Sequence, residues 1–467
     1  MAERIIILLN DFFMYYIFIY SILFFMATIY ASININKHMR LKKYKNIYTI
    51  DNPKNYVPVS ILVPAYNEEA TIVDCMKSMS ELDYPEYEII IVNDGSKDNT
   101  LNKVIEAFNL KKINRPIRRV IKCKMEKEIY EGYINGVLVT LIDKVNGGKA
   151  DALNMGINAS KYPLFVSLDA DSILQKDSIK NMVFPFLEDE NMIAVGGNIQ
   201  ISNSIILKKG ELHKAIVARK WIVLMQLIEY YRVFLATRIL FNRFNANLII
   251  SGAFGMFKKE VVVNVSGYRT DTIGEDMELV MRLHIYNRNN KRKYKIEYAP
   301  EAICWSQVPE KLKDLRGQRK RWHLGLMQSL LSYKFVCFNY KYGVIGLFSY
   351  PYYFIYEMLS PIIELLGVVL IISSYLLGYI HLKFFIVFML MYFLYSMILS
   401  CACVVLETYF IKGSLKFYSV LKLILFSILE SFGYRQIISI FRLNSIFQYR
   451  CKNYSWGTIE RKAQNTI

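Results

Sequence analysis

The run at residues 12–34 carries no charged side chain, and this constrains the chain of 467 residues more than any other feature. Lipid or a fully enclosed core are the two places for such a run. About 20 residues at ~1.5 Å rise cross the hydrocarbon layer, so the run predicts a transmembrane helix. A cleaved signal peptide is the alternative, but the run is longer than a usual signal core and lacks a clear small-residue cleavage site. Lys37, Arg40, Lys42, Lys43 and Lys45 follow it, and only Arg4 precedes it. The positive-inside rule then puts the N-terminus outside and residue 37 onward in the cytosol.

Apolar sequence returns at 343–380, broken by Pro351 and Pro361, and again at 384–406 and 417–449. The stretches at 343–380 and 384–406 predict spans joined by a short outer loop at His381 and Lys383. The 417–449 stretch contains Glu430, Gly433, Arg435 and Arg442. It is expected to lie in the interface or re-enter, because a full crossing would strand a basic tail outside. Hydrophobic residues make up 54% and charged residues 21%. Soluble domains average about 45–50% and about 25%. Yet 58 basic and 40 acidic residues are too many for a bundle lying wholly in lipid. A soluble domain joined to membrane helices fits both numbers, and a disordered, collagen-like or disulfide-scaffold chain fits neither. The seven cysteines form no C-x-x-C pair, so neither a zinc site nor a disulfide framework is implied. The net charge of +18 is compatible with nucleic acid, an anionic membrane face or a phosphorylated substrate.

Between the membrane stretches the sequence alternates. The β-branched runs 57–66 and 86–96 flank a helical stretch at 68–81, and further strands are predicted at 163–172 and 193–201. Strands alternating with helices predict an α/β domain with a mostly parallel sheet, whose ligands bind at the carboxyl ends of the strands. Asp94, Asp169 and Asp171 sit at those ends. The expected organisation is an N-terminal membrane helix and basic segment at 1–51 and a cytosolic catalytic domain at 52–310. An amphipathic interfacial helix at 311–342, membrane and interfacial helices at 343–450 and a cytosolic tail at 451–467 follow.

Asp169-Ala-Asp171 directly follows a hydrophobic strand. Two carboxylates at i and i+2 on such a turn converge on one hard cation, Mg²⁺ or Mn²⁺, which takes its other ligands from phosphate and water. A lone D-x-D is more often a solvated turn, but this one has company. Asn93-Asp94-Gly95-Ser96 and Gly148-Lys149-Ala150-Asp151 come before it. Ser251-Gly252-Ala253-Phe254-Gly255, Gly274-Glu275-Asp276 and Gln318-Arg319-Lys320-Arg321-Trp322 come after it. The helix predicted at 311–332 carries Leu312, Leu315, Trp322, Leu326 and Leu330 as its expected apolar face, with a basic cluster suited to anionic lipid.

In this order the motifs resemble glycosyltransferase family 2, in its processive membrane branch. That branch holds hyaluronan, chitin, cellulose, mixed-linkage β-glucan and poly-N-acetylglucosamine synthases. The resemblance runs from about 57 to 335 and implies a GT-A-type nucleotide-sugar domain attached to an α-helical transmembrane region. It implies that Tyr66, Asn67 and Glu68 belong to a nucleotide-contacting turn, that Asp94 meets uracil, and that Lys149 and Asp151 line the UDP-sugar pocket. Asp169 would face nucleotide and sugar, and Asp171, with Asp169 beside it, would hold the metal. Asp276 is implied as the general base, with Glu275 its catalytic neighbour; a carboxylate stabilised at a helix N-terminus is the plainer reading of either. Ser251, Gly252 and Phe254 would contact the acceptor, Gln318 and Arg321 the donor, and Trp322 would stack under the acceptor sugar. In the tail, Trp456 of Trp456-Gly457-Thr458 resembles part of a gating loop. The implied activity is polymerisation of UDP-glucose or UDP-N-acetylglucosamine into a β-linked polysaccharide, passed across a bacterial plasma membrane by a multi-pass protein. The implied partners are the UDP-sugar, the growing polymer and the bilayer; nucleic acid is not among them, and partner subunits are not visible. Single transfer to a lipid carrier is the competing enzyme, and a transporter or scaffold with an inactive cytosolic domain is the competitor from another class.

Overall fold

A computed structural model describes residues 2–48, 56–208, 211–215, 218–410 and 417–451. Its centre is a ten-stranded sheet. Chain order gives β1 (Val59–Ala65), β2 (Tyr87–Asn93), β3 (Lys111–Ile113), β4 (Glu126–Ile134), β5 (Val137–Lys144) and β6 (Leu164–Leu168). It continues with β7 (Ile173–Leu174), β8 (Met192–Ile201), β9 (Ile205–Lys208), β10 (Glu211–Ala215), β11 (Phe254–Lys258) and β12 (Lys295–Ser306). The spatial order is β3-β4-β5-β2-β1-β6-β11-β8-β12-β7, and β9 and β10 pair apart from it.

The four strands expected from sequence are β1, β2, β6 and β8, all with little exposure along their length. Strands covered on both faces read as near-continuous apolar runs, and these do. Successive residues face opposite sides. Ile61 and Val63 join one core with Met76 and Met79, and Leu62 joins the other with Leu153 and Leu279.

The sheet is mixed, and this corrects the expectation of a mostly parallel one. β5, β2, β1 and β6 run parallel, as do β8 and β12. β11 enters antiparallel between β6 and β8, β3 and β4 close the sheet antiparallel beyond β5, and β7 does so beyond β12. The β4–β5 hairpin turns at Asn135-Gly136, both at positive φ (51° and 83°). That geometry matches the strand twist and needs no helical crossover.

The helical part packs against this domain through two seams. Ile222, Leu224 and Ile228 of the Trp221–Arg232 helix share a core with Phe24 and Ala27 of the Ala2–Tyr48 helix and with Val404, Leu423 and Ile438. Met277 and Met281 of the Glu275–Asn289 helix meet Met327 and Leu330 of the Leu312–Ser332 helix, with Tyr350 and Tyr353 beyond. Among the described residues, Leu8–Ile33 and Phe417–Tyr449 are long and apolar enough to cross a membrane. Ile345–Met358 and Ser360–Leu376 form a further pair bent by 52°, with Pro361 near the bend. Length thus allows Phe417–Tyr449 to cross, where an interfacial course was expected, although its helix breaks at Phe432 and Gly433 (φ 99°). The 384–406 run lies within the helix Leu382–Phe410.

The expected apolar face of the Leu312–Ser332 helix is also revised. Leu315 and Leu330 are enclosed, but Leu312 and Trp322 are exposed, while Gln318, Arg319 and His323 turn inward. The helix docks by close approach at Gly325, where an added Cβ would fall 2.7 Å from Gly274 Cα. Only glycines allow the backbones this near, and Gly274 immediately precedes Glu275 and Asp276. Gly325→Ala is therefore expected to lower the melting temperature, since overpacking costs about 1–3 kcal/mol, and to reduce activity by moving those carboxylates. Gly317→Ala, on the same helix with nothing within 4 Å of the new Cβ, should leave both intact or raise stability slightly. Thermal melts of the two variants check this.

Candidate active site

The turn Val145–Gly148, between β5 and the Lys149–Ala159 helix, carries a lysine at each end. Lys144 is wholly enclosed, and its Nζ lies 2.6 Å from both Asp94 Oδ1 and Asp151 Oδ1. Asp94 also accepts from the backbone N–H of Gly147 (2.9 Å) and Gly148 (2.7 Å). A buried cation between two carboxylates, each also accepting from backbone N–H groups, satisfies charges that would otherwise be costly to enclose. Burial pushes the Asp94 carboxyl up, with the Lys144 and glycine hydrogen bonds opposing it.

Lys149 heads the following helix and points the other way. Its Nζ is 2.6 Å from Asp169 Oδ1, 3.7 Å from Glu275 Oε1 and 3.2 Å from Gly252 O. Burial works against its charge, yet Asp169 and Glu275 hold the ammonium above the ordinary lysine range. Asp276 Oδ2 accepts from Gly252 N–H at 3.0 Å. An added Cβ at Gly252 would lie 3.2 Å from Lys149 Nζ, so a small residue is needed there. The ends of β6, the loop before β11 and the start of the Glu275–Asn289 helix are thus drawn to one point.

They open on a cavity of about 520 Å³. Lys149, Asp169, Asp171, Ser251, Gly252, Glu275 and Asp276 line one part of it. Gln318, Arg321 and Trp322 line it beside Glu229, Arg238 and Arg319, and Tyr353, Glu357 and Arg442 line it on the C-terminal helices. Glu357 lies 3.4 Å from Arg442 Nη2, and Glu364 accepts from Ser439 at 3.1 Å, so both acids are partnered between helices. His323 also lines the cavity but is no base: burial pushes its imidazole down to about 3. Among the described residues no three His, Cys, Asp or Glu groups cluster as a metal cage. Asp169 and Asp171 alone suit a cation that draws its remaining ligands from phosphate and water, so the pair fits Mg²⁺ or Mn²⁺.

Several expected residues lie elsewhere. Asn67 accepts from Lys97 N–H (2.8 Å), and Glu68 N–H donates to Thr100 (2.9 Å), so both brace the β1 loop against the β2 loop. Tyr66, Asn67, Glu68, Asp94 and Asp151 are not among the cavity-lining residues. Phe254 has no exposed surface and its ring packs at Gly197, which makes it core rather than an acceptor contact. Trp456 lies outside the described residues. Glu229 and Arg238 had no signal in the sequence, because they sit on helices with no recognisable motif; Lys144 hid in a strand.

The sequence profile described as glycosyltransferase like family 2 matches residues 57–325. The chain belongs to this family. A poly-β-1,6-N-acetyl-D-glucosamine synthase of Staphylococcus epidermidis is 34% identical over 274 residues, covering 58% of this chain and 55% of that protein. One of Staphylococcus aureus strain COL is 33% identical over 322 residues, 69% of this chain and 66% of that protein. The chain thus spans between half and two thirds of the length of these curated relatives. A mannosyltransferase from Pyrobaculum calidifontis, solved with GDP-Man and Mn²⁺, superposes with a TM-score of 0.54 at 16% identity, covering 97% of this chain and all of that one. It shares the GT-A-like fold, with its mixed sheet. The family match covers Lys149, Asp169, Asp171, Glu275 and Asp276 of the site.

Burial pushes the Glu275 carboxyl up to about 7, against the pull of Lys149. The folded state thus holds this proton more tightly than the unfolded chain. Its contribution to stability is full below the ordinary glutamate range and is lost as pH rises through about 7. Glu275→Gln removes that titration. The melting temperature of the variant relative to the parent should therefore rise between pH 5 and pH 8, and a difference flat across that range would contradict the burial argument.

Proposed function

We propose that this chain is a processive, inverting β-glycosyltransferase that elongates a polysaccharide from a UDP-sugar and passes the product through its own helices. One observation carries the reading: a single cavity reaches from Asp169, Asp171 and Asp276 past Trp322 to Tyr353, Glu357 and Arg442. Donor chemistry needs the acidic end, and a hydroxyl-rich polymer needs a polar path between helices. The names of the staphylococcal relatives support N-acetylglucosamine as the sugar and β-1,6 as the linkage.

In this reading Asp276 takes the proton of the acceptor hydroxyl. The acceptor oxygen bonds to C1, the bond from C1 to the phosphate oxygen breaks, and UDP leaves with its electron pair. One displacement converts an α-linked donor into a β-linkage. Gly252 N–H fixes the base through Oδ2. Lys149 restrains Asp169 beside it. Arg321 stands at the cavity wall to meet the diphosphate, and Trp322 offers its ring to the acceptor sugar. Asp169 and Asp171 would hold Mg²⁺ or Mn²⁺, whose charge offsets that of the departing diphosphate. The helices at 12–34 and 343–450 seat the catalytic domain on the cytosolic face of a bacterial plasma membrane, and residues 451–467 with Trp456 are proposed to close over the bound donor.

The test is synthesis by the purified full chain with UDP-N-acetylglucosamine or UDP-glucose, followed by digestion of the product with linkage-specific hydrolases. A polymer from one donor supports the reading, and a single sugar on lipid supports the competitor. Asp276→Asn keeps size and loses basicity, so the rate should fall roughly 10²–10⁴-fold with donor affinity little changed.

Metal dependence is checked separately. Asp171→Ala and chelation by EDTA should each weaken UDP binding and suppress synthesis, and restoring Mn²⁺ should rescue the parent but not the variant. Undiminished synthesis in EDTA would remove the metal from this account.

A further inference from the structure

Trp322 is 43% exposed and lines the cavity, but one face of its ring is already taken. Arg319, three residues earlier on the same helix, lays its guanidinium 4.6 Å from the centre of the indole. Residues three apart on a helix are neighbours on its surface, so the pair meets without distortion. Arg319 itself is only 5% exposed. Its Nη1 lies 2.6 Å from Glu229 Oε1, and the other Glu229 oxygen accepts from the Tyr434 hydroxyl at 3.3 Å. Tyr434 directly follows the helix break at Phe432-Gly433. Four side chains from three separate segments therefore lock one planar cation against one aromatic face. Among the described residues Arg319 Nε and Nη2 have no hydrogen-bond partner, so Glu229 and the indole set the plane of the guanidinium there.

We infer that Arg319 is a positioning residue for the acceptor platform. Clamped by Glu229, whose other oxygen is held by Tyr434, it holds the indole in one orientation and covers one face, so that the acceptor sugar stacks on the opposite face alone. The inference rests on the reading of Trp322 as that platform. A guanidinium suits the task because it is flat, stacks on aromatic faces and stays charged when enclosed, whereas an ammonium is a compact, strongly hydrated point charge.

The test uses the full chain in detergent and follows two rates in one preparation: polymer elongation and UDP-sugar hydrolysis by water. Arg319→Lys keeps a cation for Glu229 but loses the flat stack. The ratio of elongation to hydrolysis should fall by about tenfold, with a melting temperature near that of the parent. Glu229→Gln keeps an acceptor for Tyr434 and loosens Arg319, so the ratio should fall in the same direction by less. A parental ratio in Arg319→Lys would mean that Arg319 only neutralises Glu229, and a parallel fall of both rates would mean general damage to the site; either overturns the inference. If Arg319→Lys does not accumulate as folded protein, an unchanged ratio in Glu229→Gln overturns it equally. Trp322→Ala separates the two levels. Failed elongation there with a normal ratio in Arg319→Lys sinks the positioning role alone, and normal elongation in Trp322→Ala sinks the platform reading and this inference together.

Discussion

Enclosed charges must find partners, and two lysines on one short turn organise most of this molecule. Lys144 ends β5 and Lys149 begins the next helix. Lys144 ties Asp94, just after β2, to Asp151 on that helix. Lys149 ties Asp169, just after β6, to Glu275 at the start of the distant Glu275–Asn289 helix. Removing either cation would leave carboxylates buried without compensation, which is costly enough to rearrange their surroundings. The glycines between the lysines let the backbone turn and offer their N–H groups to Asp94. Strand ends, the cavity's carboxylates and helix starts are therefore set by one segment of six residues.

The same segment connects the sheet domain to the helical part. Glu275 follows Gly274, and Gly274 is in near-contact with Gly325 of the helix that carries Gln318, Arg321 and Trp322. Because both backbones are bare at that point, this helix reaches the carboxylates without an intervening side chain. Glu229 and Arg232 extend this outward. Glu229 holds Arg319, and Arg232 holds Glu430 at 2.8 Å, next to the break at Phe432-Gly433. That break is thereby linked through ion pairs to the wall of the cavity.

Much of this was legible in the sequence, for identifiable reasons. β1, β2, β6 and β8 are apolar runs bounded by turn residues, and their placement holds. Asp169, Asp171, Glu275 and Asp276 were picked out by motif order, and the fold brings them to one cavity. The antiparallel strands were missed, although the Asn135-Gly136 pair between alternating segments was a usable hairpin signal. β11 was hidden because its sequence, Phe254–Lys258, belongs to a motif read for chemistry rather than for pairing. Phe254 illustrates the cost of that: it belongs to the core at Gly197.

The sequence by itself determined which segments are apolar enough to leave water, which stretches alternate as strand and helix, and which acids follow strands, since these depend on local periodicity and composition. Only the tertiary structure decided what those acids face. Whether Asp94 opens to a ligand or accepts from Lys144, and whether Trp322 is packed or half exposed with Arg319 on one side, depends on residues far apart in the chain. Lys144 and Asp94 lie fifty positions apart, and Arg319 and Glu229 ninety. Ion pairing across such separations follows from how the backbone closes. Local pattern carries no record of it, because the energy that fixes the pairing arises only when water has been excluded from both partners.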